Sequence, residues 1–236
     1  MAKRNLVTFF GHAAFRIATG EGLKVWIDPW LDNPLAPENA KEDTAADLIL
    51  ITHGHGDHIG NCMEMVNSSA TEIVAIHEIQ QYLLAKGFPN VTGMNIGGSY
   101  YTKGINITMV TAVHSSSIQE GQEIIYAGDA AGFIITLEDG LKLYHAGDTA
   151  LFGDMAIMST LYHPSVAMIP IGDHYVMGPR EAAYACKLID PKVIIPMHYG
   201  TFPALTGTVG EFKRQLTAHH IDATLQVMEP GDTIEV

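Results

Sequence analysis

A chain of 236 residues with 47% hydrophobic content can bury a large core, and nothing in its composition suggests disorder or a fibrous protein. Its 26 acidic residues against 13 Lys and Arg give a net charge of -13. Such a surface repels phosphate backbones, and the basic pairs Lys3-Arg4 and Lys213-Arg214 are isolated, so nucleic acid is an unfavoured partner.

In chain order, Leu6–Phe10, Ala14–Ala18 and Leu23–Ile27 are short apolar runs separated by glycine-containing turns, which predicts a β-meander ending at Asp28-Pro29. Asn33 to Asp43 is polar, carries two prolines and reads as a surface loop. Asp47–Thr52 is an apolar strand opening directly into His53, and Ile59–Val66 has a helical pattern. Glu72–Ile76 predicts a strand and His77–Lys86 a helix stopped by Gly87. Further strands are expected at Ile105–Val113, Glu123–Tyr126, Gly132–Leu137 and Leu141–His145. Strand and helix then alternate: a strand at Val166–Ile171, a helix from Pro179 to Ile189 and a strand at Lys192–Met197. A helix at Val209–His219 and a strand at Ala223–Val227 complete the pattern. No linker divides the chain, so residues 1–236 are expected to form one domain of mixed sheets covered by helices. One faint echo exists: Leu23-Lys24 and Leu141-Lys142 each open a strand that leads towards an Asp, as a duplicated half-domain would.

No apolar run approaches the roughly 20 residues that span a bilayer, and Gly11-His12 interrupts the first apolar run before a signal core forms. A cytoplasmic protein without a membrane partner is expected. Cys62 and Cys186 lie in no CxxC pattern and read as buried structural thiols.

The strongest chemical signal is His53-Gly-His55-Gly-Asp57-His58. It follows a strand and holds two glycines, so it reads as a loop, unlike the helical HExxH arrangement. In extended chain, positions i and i+2 face the same way, so His53 and His55 can converge on one metal ion. Asp57 and His58 sit in a tighter turn that Gly56 permits and can serve a second ion. Each ion wants about four ligands, so others must come from elsewhere. His114, Asp148 and His198 each stand where an apolar strand gives way to a loop, as His53 does. Ligands at strand ends collect on one sheet edge, the usual place for an α/β active site. Ala127-Gly128-Asp129 repeats the Ala-Gly-Asp that contains Asp148, which makes Asp129 a rival, although it also suits a turn between strands.

This set, His53-x-His55-x-Asp57-His58, His114, Asp148 in Gly-Asp-Thr and His198, resembles the metal-ligand motifs of the metallo-β-lactamase superfamily across almost the whole chain. Gly11-His12-Ala13-Ala14-Phe15, Ile27-Asp28-Pro29, Tyr144 to Thr149 and Met177-Gly178-Pro179 resemble the UPF0173 metal-dependent hydrolases and are similar to the ascorbate-6-phosphate lactonase branch. The resemblance implies a four-layer αββα sandwich of two mixed β-sheets flanked by helices. It implies a first metal on His53, His55 and His114, a second on Asp57, His58 and His198, and Asp148 bridging both. Asp28, His12 and His145 would brace the ligands from behind. Zinc is the expected metal, with Mn2+, Ni2+ and Fe2+ as alternatives. The implied reaction is hydroxide attack on a small, anionic ester or lactone, with Asp57 orienting the nucleophile. His174 either touches substrate, protonates the leaving group, or is a plain loop histidine, and Tyr199 is a further substrate-contact candidate. A phosphodiesterase or nuclease and a non-enzymatic metal-binding protein are the alternative readings, and the family analogy suggests a homo-oligomer.

Overall fold

The computed structural model describes residues 4–66 and 70–236. Lys3 of the first basic pair therefore lies outside the described residues, while Arg4 pairs with Glu235 at 2.6 Å. The chain forms two compact units. One holds residues 1–98, 115–130 and 229–236, and the other holds residues 99–114 and 131–228.

The first unit is built on a seven-stranded mixed sheet. The predicted meander is present as β1 (Leu6–Phe9), β2 (Phe15–Ala18) and β3 (Lys24–Ile27), all antiparallel. From β3 the sheet continues in parallel through β4 (Leu48–Leu50), β5 (Glu72–Ile76) and β6 (Val91–Met94). β4 and β5 are buried at every position, as parallel strands covered on both faces must be. The helix α3 (His77–Ala85) follows β5 directly, as its pattern predicts.

The expected helix over Ile59–Val66 is broken. One turn, α1 (Gly56–Ile59), is followed by a kink and a second turn, α2 (Cys62–Met65). The cause lies outside the segment. Asn61 donates its backbone N–H to Pro29 O at 2.9 Å, and its Oδ1 accepts the Leu31 N–H at 2.8 Å. At Gly60 (φ +48°) an added Cβ would lie 2.5 Å from Trp30 Cα, so only glycine passes there. The same α1 turn corrects the expectation of a pure loop: Asp57 and His58 sit in a helical turn.

The second unit repeats this architecture. β7 (Ser99–Thr102), β8 (Ile105–Thr111), β11 (Ala131–Thr136) and β12 (Lys142–His145) run antiparallel. From β12 the sheet continues in parallel through β13 (Val166–Pro170), β14 (Val193–Met197) and β15 (Thr224–Leu225). In the first unit a late strand, β16 (Thr233–Glu235), completes the antiparallel half beside β1. Each sheet thus has four antiparallel strands and changes to parallel at the fourth, which is β3 in one and β12 in the other. These are the two strands that share the Leu-Lys opening, so the sequence echo marks equivalent places in two like sheets. A separate two-stranded hairpin, β9 (Ser117–Glu120) and β10 (Glu123–Tyr126), belongs to the first unit.

Three helices accompany the second sheet. α5 (Pro179–Ile189) opens with Pro at its first position and buries Ala182, Cys186 and Ile189 along one stripe. α6 (Val209–Ala218) is capped by Thr208, whose Oγ1 accepts the Glu211 N–H at 3.2 Å. α4 (Met155–Tyr162) was not expected. It carries apolar residues on both its buried and exposed sides and no side-chain cap, so it lacks the periodic stripe that reveals a helix. Both cysteines are buried free thiols, and burial pushes the Cys62 thiol up to about 12. Among the described residues no helix is long and apolar enough to cross a membrane.

Tyr144 on β12 is fully buried, its hydroxyl has no hydrogen-bond partner among the described residues, and burial raises its phenol well above the ordinary range. A desolvated, unmatched hydroxyl costs about 1–3 kcal/mol. Tyr144→Phe is therefore expected to hold or raise stability by about 1 kcal/mol in urea unfolding, and a loss of that size would show that the hydroxyl is satisfied.

Candidate metal centre

In the first unit the site is assembled around the exits of β3 and β4. Asp28 ends β3 in the left-handed region (φ +46°) with its side chain fully buried. Its Oδ1 accepts the Thr52 N–H at 2.8 Å and its Oδ2 accepts the Thr52 hydroxyl at 2.6 Å. The same Oδ2 lies 2.7 Å from His58 Nδ1. A carboxylate only accepts, so His58 Nδ1 carries the hydrogen and its Nε2 carries the lone pair. Thr52 carries the same constraint to His53. Its hydrogen goes to Asp28, so Oγ1 accepts from His53 Nδ1, 3.0 Å away. His53 therefore also keeps its lone pair on Nε2. One buried carboxylate thus sets the tautomer of two histidines in the form that binds a cation.

The two nitrogens meant to converge do so: His53 Nε2 lies 3.0 Å from His55 Nδ1. His12, buried and left-handed at φ +56°, places Nε2 3.1 Å from Asp57 Oδ2, and its ring meets Trp30 edge-on at 5.1 Å. His12 thus holds the Asp57 carboxylate directly. Gly54, between the two histidines, is needed for close approach. An added Cβ would stand 2.4 Å from Ala127 Cβ. Ser116 Oγ accepts the Gly54 N–H at 3.1 Å and donates to Ala127 O at 3.2 Å, fixing the loop from the other side. No motif in the sequence marks Thr52 or Ser116 as part of the site. Thr52 stands beside His53, but its role depends on Asp28, 24 residues earlier.

In the second unit Asp148 leaves β12 with its side chain 3% exposed. Its Oδ2 lies 3.0 Å from His198 Nε2 and 3.6 Å from His114 Nε2. Thr149 joins the loops that carry two of these residues: its Oγ1 accepts the Val113 N–H at 3.0 Å, and Val113 O accepts the Ala150 N–H at 3.0 Å. His145 accepts the Gly147 N–H on Nδ1 at 3.2 Å, so it shapes the backbone turn before Asp148 and touches no ligand side chain in that bond. Asp129, the rival, is exposed at the end of the hairpin and accepts from the Tyr126 hydroxyl at 3.3 Å.

His174 follows β13 and is exposed, with its ring edge-on to Tyr175 at 4.4 Å. Among the described residues no hydrogen bond or ion pair joins it to Asp148 or His198. Tyr199 is half-buried beside His198.

The donors fit a metal. Within the first unit His53 meets His55 and His12 meets Asp57, and within the second Asp148 meets His198 and His114, so each unit gathers His and Asp donors of the kind that hold an ion. A set of neutral imidazoles and carboxylates suits zinc and its neighbours among divalent metals.

Comparison with known proteins agrees. Residues 6–198 match the beta-lactamase superfamily domain. A UPF0173 metal-dependent hydrolase from Koribacter versatilis is 45% identical over 228 residues, covering 96% of each chain. Another from Methanobrevibacter smithii is 45% identical over 230 residues, covering 97% of this chain and 96% of the relative. Among solved structures, Igni18, a metallo hydrolase from Ignicoccus hospitalis, superposes with a TM-score of 0.87 at 39% identity and 98% coverage of both chains. The chain belongs to the UPF0173 metal-dependent hydrolases of the beta-lactamase superfamily and has the metallo-β-lactamase fold.

Proposed function

We propose that the protein hydrolyses a small ester or lactone at a dinuclear metal site, and that its 236 residues act as one catalytic domain. His53, His55 and His114 would hold one divalent ion and Asp57, His58 and His198 the other, with Asp148 shared. The observation that supports this best is the buried Asp28–Thr52 network, which leaves lone pairs on Nε2 of both His53 and His58. Buried polar networks of this kind serve to present ligands.

Two divalent ions, zinc foremost, would supply Lewis acidity and make water a stronger acid at neutral pH. Asp57 and Asp148 cancel half of their charge, so the site stays positive and attracts the oxygen that becomes negative in the transition state. Asp57, steered by His12, would orient the attacking water. His174 would donate a proton to the leaving oxygen. The chain's charge of -13 opposes a nucleic acid substrate and favours this reading over a nuclease.

His55→Ala tests it. His55 is only half-buried, so its removal should spare the fold. Zinc-loaded protein assayed on a panel of lactones, esters, thioesters and phosphodiesters should lose at least about 100-fold in turnover with an unchanged unfolding curve. Activity that survives the change would remove His55 from the reacting centre.

A further inference from the structure

Within the second unit, the loops leaving β12, β13 and β14 emerge side by side, because these strands are parallel neighbours. Asp148 and His198 stand on the outer two. The middle loop, after β13, carries Asp173, His174 and Tyr175.

This middle loop is held in a costly shape. Asp173 (φ +66°) and His174 (φ +59°) are consecutive non-glycine residues in the left-handed region, a conformation that surrounding structure must enforce. The enforcement is visible. Asp173 accepts the His174 N–H on its own carboxylate at 2.8 Å and the Tyr175 N–H on its carbonyl at 2.6 Å. Its N–H donates to Met177 O at 3.0 Å, and Met177 N–H donates to Thr149 O at 3.2 Å, next to Asp148. Gly207 N–H donates to Gly172 O at 2.9 Å. Yet the rings at its tip are not packed into the core: His174 is exposed and Tyr175 is 54% exposed. The hydrogen-bonded, strained loop thus leaves two rings open to a group from outside the chain.

The chemistry of the three exits is one-sided. Residues 146–154, 171–178 and 198–208 contain Phe152, His174, Tyr175, Tyr199 and Phe202 but no lysine or arginine. A remote phosphate or carboxylate on the substrate would find no fixed cation there, whereas a flat uncharged group would find aromatic faces and edges.

We infer that Tyr175, backed by His174, is a specificity-determining residue that selects substrates whose non-reacting part is flat, apolar and uncharged, an aryl lactone or aryl ester. The inference rests on the hydrolase reading above, and it confines any negative charge of the substrate to the reacting end. Tyr175 acts by stacking and takes no part in bond breaking.

The test separates recognition from turnover. Binding of two ketones that cannot be hydrolysed, α-tetralone and cyclohexanone, is measured on zinc-loaded protein by saturation-transfer NMR titration. Hydrolysis of dihydrocoumarin and δ-valerolactone, which share a six-membered lactone ring, is measured alongside. Tyr175→Ala should weaken α-tetralone about tenfold and leave cyclohexanone within about twofold. It should lower kcat/KM on dihydrocoumarin by a similar factor through KM and spare δ-valerolactone, while Tyr175→Phe behaves as the parent. Equal losses on both partners of either pair, no loss on either, or a Phe variant as impaired as Ala would overturn the inference. Discrimination between the ketones without hydrolysis of either lactone would uphold the role of Tyr175 and refute the ester and lactone reading. Hydrolysis without Tyr175-dependent discrimination would do the reverse.

Discussion

Replacing Asp148 by Ala is expected to abolish turnover, by about three orders of magnitude or more in kcat/KM. The Asp148 carboxylate stands against both His114 and His198, at 3.6 and 3.0 Å. As a ligand shared by two cations it would hold both, so its loss weakens both. Metal activation contributes several kcal/mol to hydrolysis, and about 4 kcal/mol corresponds to a thousandfold. Asp148→Asn separates charge from shape: it keeps the volume, so the fold should persist, while metal content and activity fall together. Steady-state kinetics with excess zinc check this. Activity within tenfold of the parent for either variant would show that Asp148 holds no catalytic metal.

Asp28→Ala is expected to cost about 4 kcal/mol of stability, a large share of the 5–15 kcal/mol that holds a domain together. The side chain is fully buried and satisfies the Thr52 N–H, the Thr52 hydroxyl and His58 Nδ1. Removal leaves three buried donors to find other acceptors. For a chain of this size, that shift lowers Tm by roughly 10 °C. Asp28→Asn asks a finer question. Asn tolerates the left-handed backbone that position 28 adopts, so most stability should remain. Its amide, however, can present a donor towards His58 Nδ1 and push that ring to the wrong tautomer. The expected result is a folded protein with weakened metal binding, seen as zinc lost in a chelator titration at concentrations the parent resists. Unchanged zinc retention in Asp28→Asn would show that the tautomer argument is wrong.

What was legible in the sequence follows from how local each signal is. His53, His114, Asp148 and His198 could be read because each follows an apolar strand, and His55, Asp57 and His58 because they share one short motif with His53; apolar runs such as those of β4, β8 and β14 betray themselves. The meander and helices α3, α5 and α6 carried their own glycine, proline and capping marks. Elements whose reason lies elsewhere were not legible. β16 is three residues long and exists because it pairs with β1, more than 200 positions away. β6 and β7 are short strands with little alternation, and β9 is a polar arm stabilised by pairing with β10. The helix expected at Ile59–Val66 is divided by contacts from Pro29 and Leu31 that no local pattern announces. The same limit hid Thr52 and Ser116: each acts through a partner distant in sequence. Only the family resemblance points to Asp28 in the sequence, because its role depends on His58 and Thr52, which share its carboxylate in the fold.

The most direct test of the central claim is a count of metal ions per chain by elemental analysis, on protein stripped and reloaded with zinc. About two ions are expected in the parent, with a loss in both His55→Ala and Asp148→Ala and the fold intact. A folded parent that takes up no zinc, or variants that retain the full complement, would contradict it.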